Sequence, residues 1–204
     1  MLDGSALNRI VLVRHGETVG ESSVRYYGST DVALSDLGRE QARQARLALP
    51  GDDFPLFVTS PLARAWESAR IVFPHAPARL LDELREIDFG DWEGLSADEI
   101  RARDPVRYED WQQKRPGFEF PGGERRADFQ ARVDRAVDAM LASGVSSALA
   151  VVHKGVIRAI ARRVTGVELP ADAPPLGGLV QLTRRPSGVW ELGRHGSVPV
   201  GMPS

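Results

Sequence analysis

The chain contains no cysteine, which removes disulfides, thiolate metal sites, iron–sulfur clusters and a cysteine nucleophile together. It has no apolar run long enough to span a bilayer, and its first nine residues lack the apolar stretch of a signal peptide. The expected location is therefore the cytoplasm. An excess of charge of one sign is missing too. The 26 Lys and Arg stand against 28 Asp and Glu, for a formal charge of -2, so no global attraction to nucleic acid or to an anionic membrane is expected. Histidine is scarce, with four in 204 residues. The rest is ordinary: 42% hydrophobic and 26% charged, at a length that suits one domain and buries a core without staples.

No repeat or low-complexity tract divides the chain, so residues 1–204 are read as a single domain. Residues 9–13 form a short apolar run that ends in Arg14-His15-Gly16-Glu17-Thr18, the pattern of a buried strand feeding a loop. Ser35 is placed to cap a helix with Leu37, Ala42, Ala45 and Leu49 on one face, stopped by Pro50-Gly51. Residues 56–59 predict a second strand. Ser60-Pro61 then predicts a helix start, followed by a stripe of Leu62, Ala65, Trp66, Ala69 and Val72. Residues 80–94 read as a partly buried edge segment and residues 96–103 as a short helix.

Residues 95–121 carry prolines and aromatics and are read as an excursion roofing the site. A long amphipathic helix follows Gly122-Gly123, using Phe129, Val133, Val137, Met140 and Leu141, with Gly144 as its end. Residues 148–152 predict a third strand, then a helix stopped by Gly166. A hairpin around Pro186-Ser187-Gly188 closes the pattern. Strands alternating with helices imply a layered α/β domain with a largely parallel sheet. Its site should lie beyond the carboxyl ends of the strands.

Two of the strands end in histidine, at Arg14-His15-Gly16 and at His153-Lys154-Gly155. If both strands are parallel in one sheet, both imidazoles emerge at one edge, and Arg64 in the first turn of the second helix joins them. Helix N-termini attract anions, and arginine offers a rigid fork of donors that matches phosphate oxygens. An imidazole among arginines is held neutral, and a neutral imidazole beside a bound phosphate is a nucleophile. Taken singly, each residue has a plainer reading: a hydrogen-bonded strand-end histidine, a solvated arginine. His75 and His195 are read as surface residues, and Trp66 and Trp92 as packing, with Trp92 an alternative pocket residue.

The block Leu12-Val13-Arg14-His15-Gly16-Glu17-Thr18 resembles the signature of the histidine phosphatase superfamily, the phosphoglycerate mutase-like family. The likeness continues in family order. Tyr27-Gly28-Ser29-Thr30-Asp31 and Leu34-Ser35-Asp36-Leu37-Gly38 come next, then Ser60-Pro61-Leu62-Ala63-Arg64 and Leu84-Arg85-Glu86. Phe89-Gly90-Asp91-Trp92-Glu93-Gly94, Pro121-Gly122-Gly123-Glu124 and Val152-His153 complete it.

The resemblance implies a three-layer α/β/α sandwich with a mostly parallel central sheet. It also implies phosphomonoester hydrolysis through a phosphohistidine at His15, with no metal and no cofactor. Arg14, Arg64 and His153 would hold the phosphoryl oxygens. Glu86 would act as general acid and then as general base, with Glu83, Asp88 and Glu93 as rivals. Glu17 is either a second carboxylate near the phosphate or a turn residue. Thr18 is either a phosphate donor or a turn cap. Gly122-Gly123-Glu124 is assigned no chemistry.

Two positions depart from the family pattern. Gly20 and Glu21 stand where many relatives carry Trp-Asn, so one phosphate ligand is unassigned and Glu21 is expected to point away. Lys154 replaces a small residue and either reaches an anionic substrate or sits on the surface. The short excursion, with Lys114-Arg115 as its basic pair, favours hydrolysis over a phosphomutase. An inactive phosphoanion-binding module is the third alternative.

The likeness is to the α-ribazole and broad-specificity phosphatase branch. Tyr26, Tyr27, Trp92, Tyr108, Trp111, Phe118 and Phe120 are expected over the site, suiting a ring-bearing alcohol portion. The expected partner is a small-molecule phosphomonoester, with neither nucleic acid nor membrane. The tail at 194–204 is read as disordered or as packing on a second subunit of a homodimer.

Overall fold

Within the strand Arg9–Arg14 (β1) successive side chains leave opposite faces. Ile10 and Leu12 enter one buried cluster, while Val11 and Val13 enter another. The strand Ser147–Val152 (β4) divides in the same way: Ala148, Ala150 and Val152 face one side, Leu149 and Val151 the other. Both faces of the sheet are therefore dry, which is why these strands read as continuous apolar runs. The computed structural model describes residues 6–196; the tail reading at 194–204 falls largely outside them.

The remaining elements, in chain order, are α1 (Asp36–Leu47), β2 (Leu56–Thr59), α2 (Ala63–Val72), β3 (Arg79–Leu80), α3 (Ala97–Arg103), α4 (Pro105–Gln112) and α5 (Arg126–Leu141). After β4 come α6 (Lys154–Thr165), β5 (Leu179–Arg184) and β6 (Trp190–Gly196). The sheet order is β3-β2-β4-β1-β5-β6. The first four strands in that order are mutually parallel, and β5 and β6 close the far edge antiparallel. Residues of α1 and α2 cover one face, and residues of α5 and α6 the other. This is the expected three-layer α/β/α sandwich with a mostly parallel sheet.

Several local expectations are corrected. In α1 the buried stripe is Gly38, Ala42 and Ala45, and Leu37 is 50% exposed. The cap at Ser35 is as expected, its hydroxyl accepting from the Gly38 N–H. Helix α2 begins two residues later than Ser60-Pro61 suggests. Its cap comes from far along the chain: the Ala63 N–H donates to Asp31 Oδ1 at 2.7 Å. Trp66 is 39% exposed under the Arg70 guanidinium instead of lying in the core stripe. The excursion contains a helix that its prolines obscured; Pro105 sits in the first turn of α4, where its missing N–H costs nothing. Helix α5 closes at Ala142, before Gly144.

The aromatics of the excursion turn on one another. Trp92, Tyr108, Phe118 and Phe120 are buried, and Trp111 meets Tyr26, Trp92, Tyr108 and Phe120 with ring centroids between 5.2 and 6.2 Å. A short excursion has no sheet of its own to cover, and these rings supply the apolar area that folds it down. The four buried rings are therefore core, not a free lining for a substrate. Tyr26, Tyr27 and Trp111 stay partly exposed.

Candidate active site

The register of the sheet assembles the site. Arg14 pairs with Val152 across the parallel β1–β4 ladder. His15 and His153, the next residue on each strand, are thus brought side by side, with ring centroids 5.2 Å apart. The His15 N–H donates to the Val152 carbonyl at 2.9 Å, so the pairing continues one residue past the strand. Behind His15 the backbone of Gly16 touches Gly38 of α1. A Cβ on Gly16 would lie 2.2 Å from the Gly38 carbonyl oxygen, so only glycine fits.

His15 Nδ1 lies 2.7 Å from the Gly16 carbonyl oxygen. A carbonyl only accepts, so Nδ1 carries the proton and Nε2 keeps its lone pair free. Burial, then Arg64 and Arg14, hold the His15 pKa well below its ordinary value. The same causes act on His153, with His15 and Arg132 adding to them. Both rings are neutral near pH 7.

Arg64 is 0% exposed. Its Nη1 donates to Thr30 O at 2.9 Å, and its Nη2 to Tyr27 O and Gly28 O at 3.0 and 2.7 Å. Those carbonyls are aimed by Glu93, whose carboxylate accepts from the N–H groups of Gly28, Ser29, Thr30 and Phe89. Arg14 is anchored through Nη1 to Pro174 O at 3.1 Å. Burial lowers its pKa to about 10, against the pull of Glu86 and Glu17, so it stays charged at neutral pH.

After these contacts, four buried nitrogens have no hydrogen-bond partner among the described residues: Arg14 Nε, Arg64 Nε and both ring nitrogens of His153. Buried polar groups are rarely left unmatched. Here they collect on side chains that share one neighbourhood, beside the free Nε2 of His15. Chemically the arrangement can act as a dry anion cradle with an imidazole lone pair at its edge.

Glu86 is the carboxylate that reaches this cluster. Its Oε2 accepts from the Gly155 N–H at 2.9 Å, two residues beyond His153, and its charge is felt by Arg14 and Arg64. Two of the rivals are occupied elsewhere: Glu93 on the loop at 28–30, and Asp88 on the Gly90 N–H. Glu17 spends its carboxylate on the N–H groups of Thr18 and Ser23. The Thr18 hydroxyl shares a hydrogen bond of 2.7 Å with Ser22 Oγ, so it is engaged in the turn.

Glu21 is exposed at φ 63, a left-handed angle that non-glycine residues seldom adopt. Its N–H closes a turn on the Thr18 carbonyl. Lys154 opens α6, is partly buried and makes no ion pair among the described residues. Burial and then Arg14 lower its pKa, with Glu86 opposing them. His75 is exposed; His195 lies on β6, paired with Val180. A concavity of about 380 Å³ between Phe57, Trp66, Arg70, Phe73 and His75 shares no residue with the cluster. Among the described residues, no group of three acidic or histidine side chains could hold a metal, and no helix is long and apolar enough to cross a membrane.

Sequence reasoning missed three supports of this site. Ser68 accepts from the Gly16 N–H and donates to the Arg64 carbonyl, tying β1 to α2. In sequence Glu93 stands only as a candidate acid, and Glu124 and Arg132 carry no signal of a role. Each works through contacts with residues remote in the chain, which leave no local pattern.

Residues 10–185 match the family model of the histidine phosphatase superfamily (branch 1). The chain is 33% identical over 172 residues to an adenosylcobalamin/alpha-ribazole phosphatase of Escherichia coli, covering 81% of this chain and 82% of that protein. It is 33% identical over 184 residues to a glucosyl-3-phosphoglycerate phosphatase of Mycolicibacterium vanbaalenii, covering 85% and 80%. The crystal structure of an alpha-ribazole phosphatase from Shigella flexneri superposes with a TM-score of 0.77 at 27% identity, over 96% of this chain and all of that one.

Proposed function

The chain belongs to the histidine phosphatase superfamily and is a phosphoric monoester hydrolase, and from that premise we propose that it hydrolyses a small phosphorylated metabolite through a phosphohistidine on His15, without a metal. The observation that carries this reading is the set of unmatched nitrogens on Arg14, Arg64 and His153 around the free Nε2 of His15.

In the first half-reaction His15 Nε2 attacks phosphorus in line, the N–P bond forms and the P–O bond to the alcohol breaks. Glu86, protonated, gives its proton to the leaving oxygen. Arg14, Arg64 and His153 take up the charge on the three peripheral oxygens. The ring then carries phosphorus on Nε2 and hydrogen on Nδ1, and the Gly16 carbonyl faces that positive ring. In the second half-reaction water attacks phosphorus, Glu86 takes its proton and the N–P bond breaks, restoring the enzyme. Lys154, unpaired beside Arg14, would meet a second anionic group on the ester, and the excursion at 95–121 would cover the entrance.

Phosphate release from a panel of phosphomonoesters in excess chelator, for wild type and His15→Ala, tests this. Release by the wild type alone, with acid-labile phosphate trapped on His15 by alkaline quench, is expected. Release that survives His15→Ala, or needs a metal, overturns it. Transfer that appears only with a bisphosphate primer would instead make the protein a phosphomutase.

A further inference from the structure

Arg132 of α5 uses all five of its N–H donors at one place. Nε and Nη2 grip the two carboxylate oxygens of Glu124 at 2.7 and 2.8 Å. Nη1 donates to the carbonyls of Glu83 and Arg85 at 2.8 and 2.6 Å, and Nη2 to the carbonyl of Glu86 at 3.0 Å. The pair is largely buried, with side-chain exposure of 15% and 21%, and the guanidinium lies over the ring of Phe129. With every donor engaged, Arg132 has nothing left for a substrate. What it holds is three carbonyls within the four-residue stretch 83–86, which ends at Glu86.

We propose that Arg132 and Glu124 form a positioning pair that fixes where the Glu86 carboxyl meets the leaving oxygen. The inference rests on the reading of Glu86 as the general acid. Among the described residues no other side chain hydrogen-bonds the backbone between β3 and Glu86, where Asp82–Leu84 is a single short turn. Arg132 fixes the backbone of Glu86 from α5, and the Gly155 N–H fixes its Oε2 from α6. The two clamps come from different helices, so the carboxyl is triangulated beside His153. Lysine cannot replace the fork, because a single ammonium cannot bind a carboxylate bidentately and reach three carbonyls at once. A displacement of the carboxyl by about 1 Å is enough to cost about 100-fold in rate.

The pair's signature differs from that of a stability support. An alkyl alkoxide leaves only with a proton, whereas a nitrophenolate leaves without help. Steady-state kinetics on glycerol 2-phosphate and p-nitrophenyl phosphate are compared for wild type, Glu86→Gln, Arg132→Lys and Glu124→Gln, with inhibition by inorganic phosphate as a measure of the intact cradle. Glu86→Gln sets the scale: a loss of about 100-fold or more in kcat/KM, which reports phosphoryl transfer to His15 alone, on the alkyl ester, and a much smaller one on the aryl ester.

Arg132→Lys and Glu124→Gln are expected to reproduce at least a tenth of that selective loss, with phosphate inhibition changed less than about threefold. Equal losses on both esters, or an unchanged ratio in whichever of the two variants folds, overturn the pairing. No leaving-group dependence in Glu86→Gln overturns the reading of Glu86 itself, and the inference falls with it.

Discussion

Two neutral histidines buried beside two arginines make the folded protein sensitive to mild acid, by an amount that can be worked out. The ordinary pKa of 6.5 applies to each ring in the unfolded chain, while in the fold burial, Arg64 and Arg14 hold both well below it. As pH falls through 6.5 the unfolded chain takes up a proton at each position and the folded one does not, so stability present above that pH is lost below it. A ring that remains neutral in the fold loses about 1.4 kcal/mol between about pH 7.5 and about pH 5.5, and two lose about 2.7 kcal/mol. For a chain of this size that is a fall of about 5 to 10 °C in Tm.

The perturbation is His15→Asn with His153→Asn, and the assay is thermal unfolding across that range in buffers free of phosphate, which would bind the folded state and mask the effect. The double variant is expected to lose this slope, whatever its Tm at neutral pH, since only the pH dependence isolates the two rings. A Tm curve parallel to that of the wild type would refute the argument that both rings are held neutral.

Further outcomes follow from single contacts. In Gly155→Ala the new Cβ would lie 2.3 Å from Glu86 Oε1. Alanine is the better helix former by about 1 kcal/mol, so turnover should fall by about tenfold or more without a matching fall in Tm; unchanged kcat would show that the Glu86 carboxyl is free to move. Glu93→Gln removes the charge that gathers the N–H groups of residues 28–30, and with it the aim of the carbonyls on Arg64. Inhibition by vanadate or phosphate should weaken by about 1 to 3 kcal/mol, and an unchanged inhibition constant would sink that link. Lys154→Met should lower kcat/KM for 3-phosphoglycerate relative to p-nitrophenyl phosphate by about tenfold, the worth of one charged contact; an unchanged ratio would leave Lys154 without a part in substrate choice.

The sequence by itself was enough for the layered architecture, because the strands β1 and β4 are buried on both faces and therefore read as unbroken apolar runs between helical periods. It also picked out the residues that the fold gathers at one sheet edge. His15, Arg14, Arg64, Glu86 and His153 stand in blocks whose order is visible along the chain, and two of those blocks begin where an apolar run ends. The helix cap made by a chain neighbour, Ser35, was equally legible.

What only the tertiary structure decided is how those groups are held. The in-register pairing of Arg14 with Val152 sets the two imidazoles 5.2 Å apart, and register is a property of two strands together. The cap of α2 is Asp31, the aim of Arg64 comes from Glu93, and the loop of Glu86 hangs on Arg132. In each case a charged side chain satisfies backbone groups remote in sequence. Such contacts leave no periodicity or spacing behind them, because a carboxylate or guanidinium on its own looks like solvated surface until the fold removes the water.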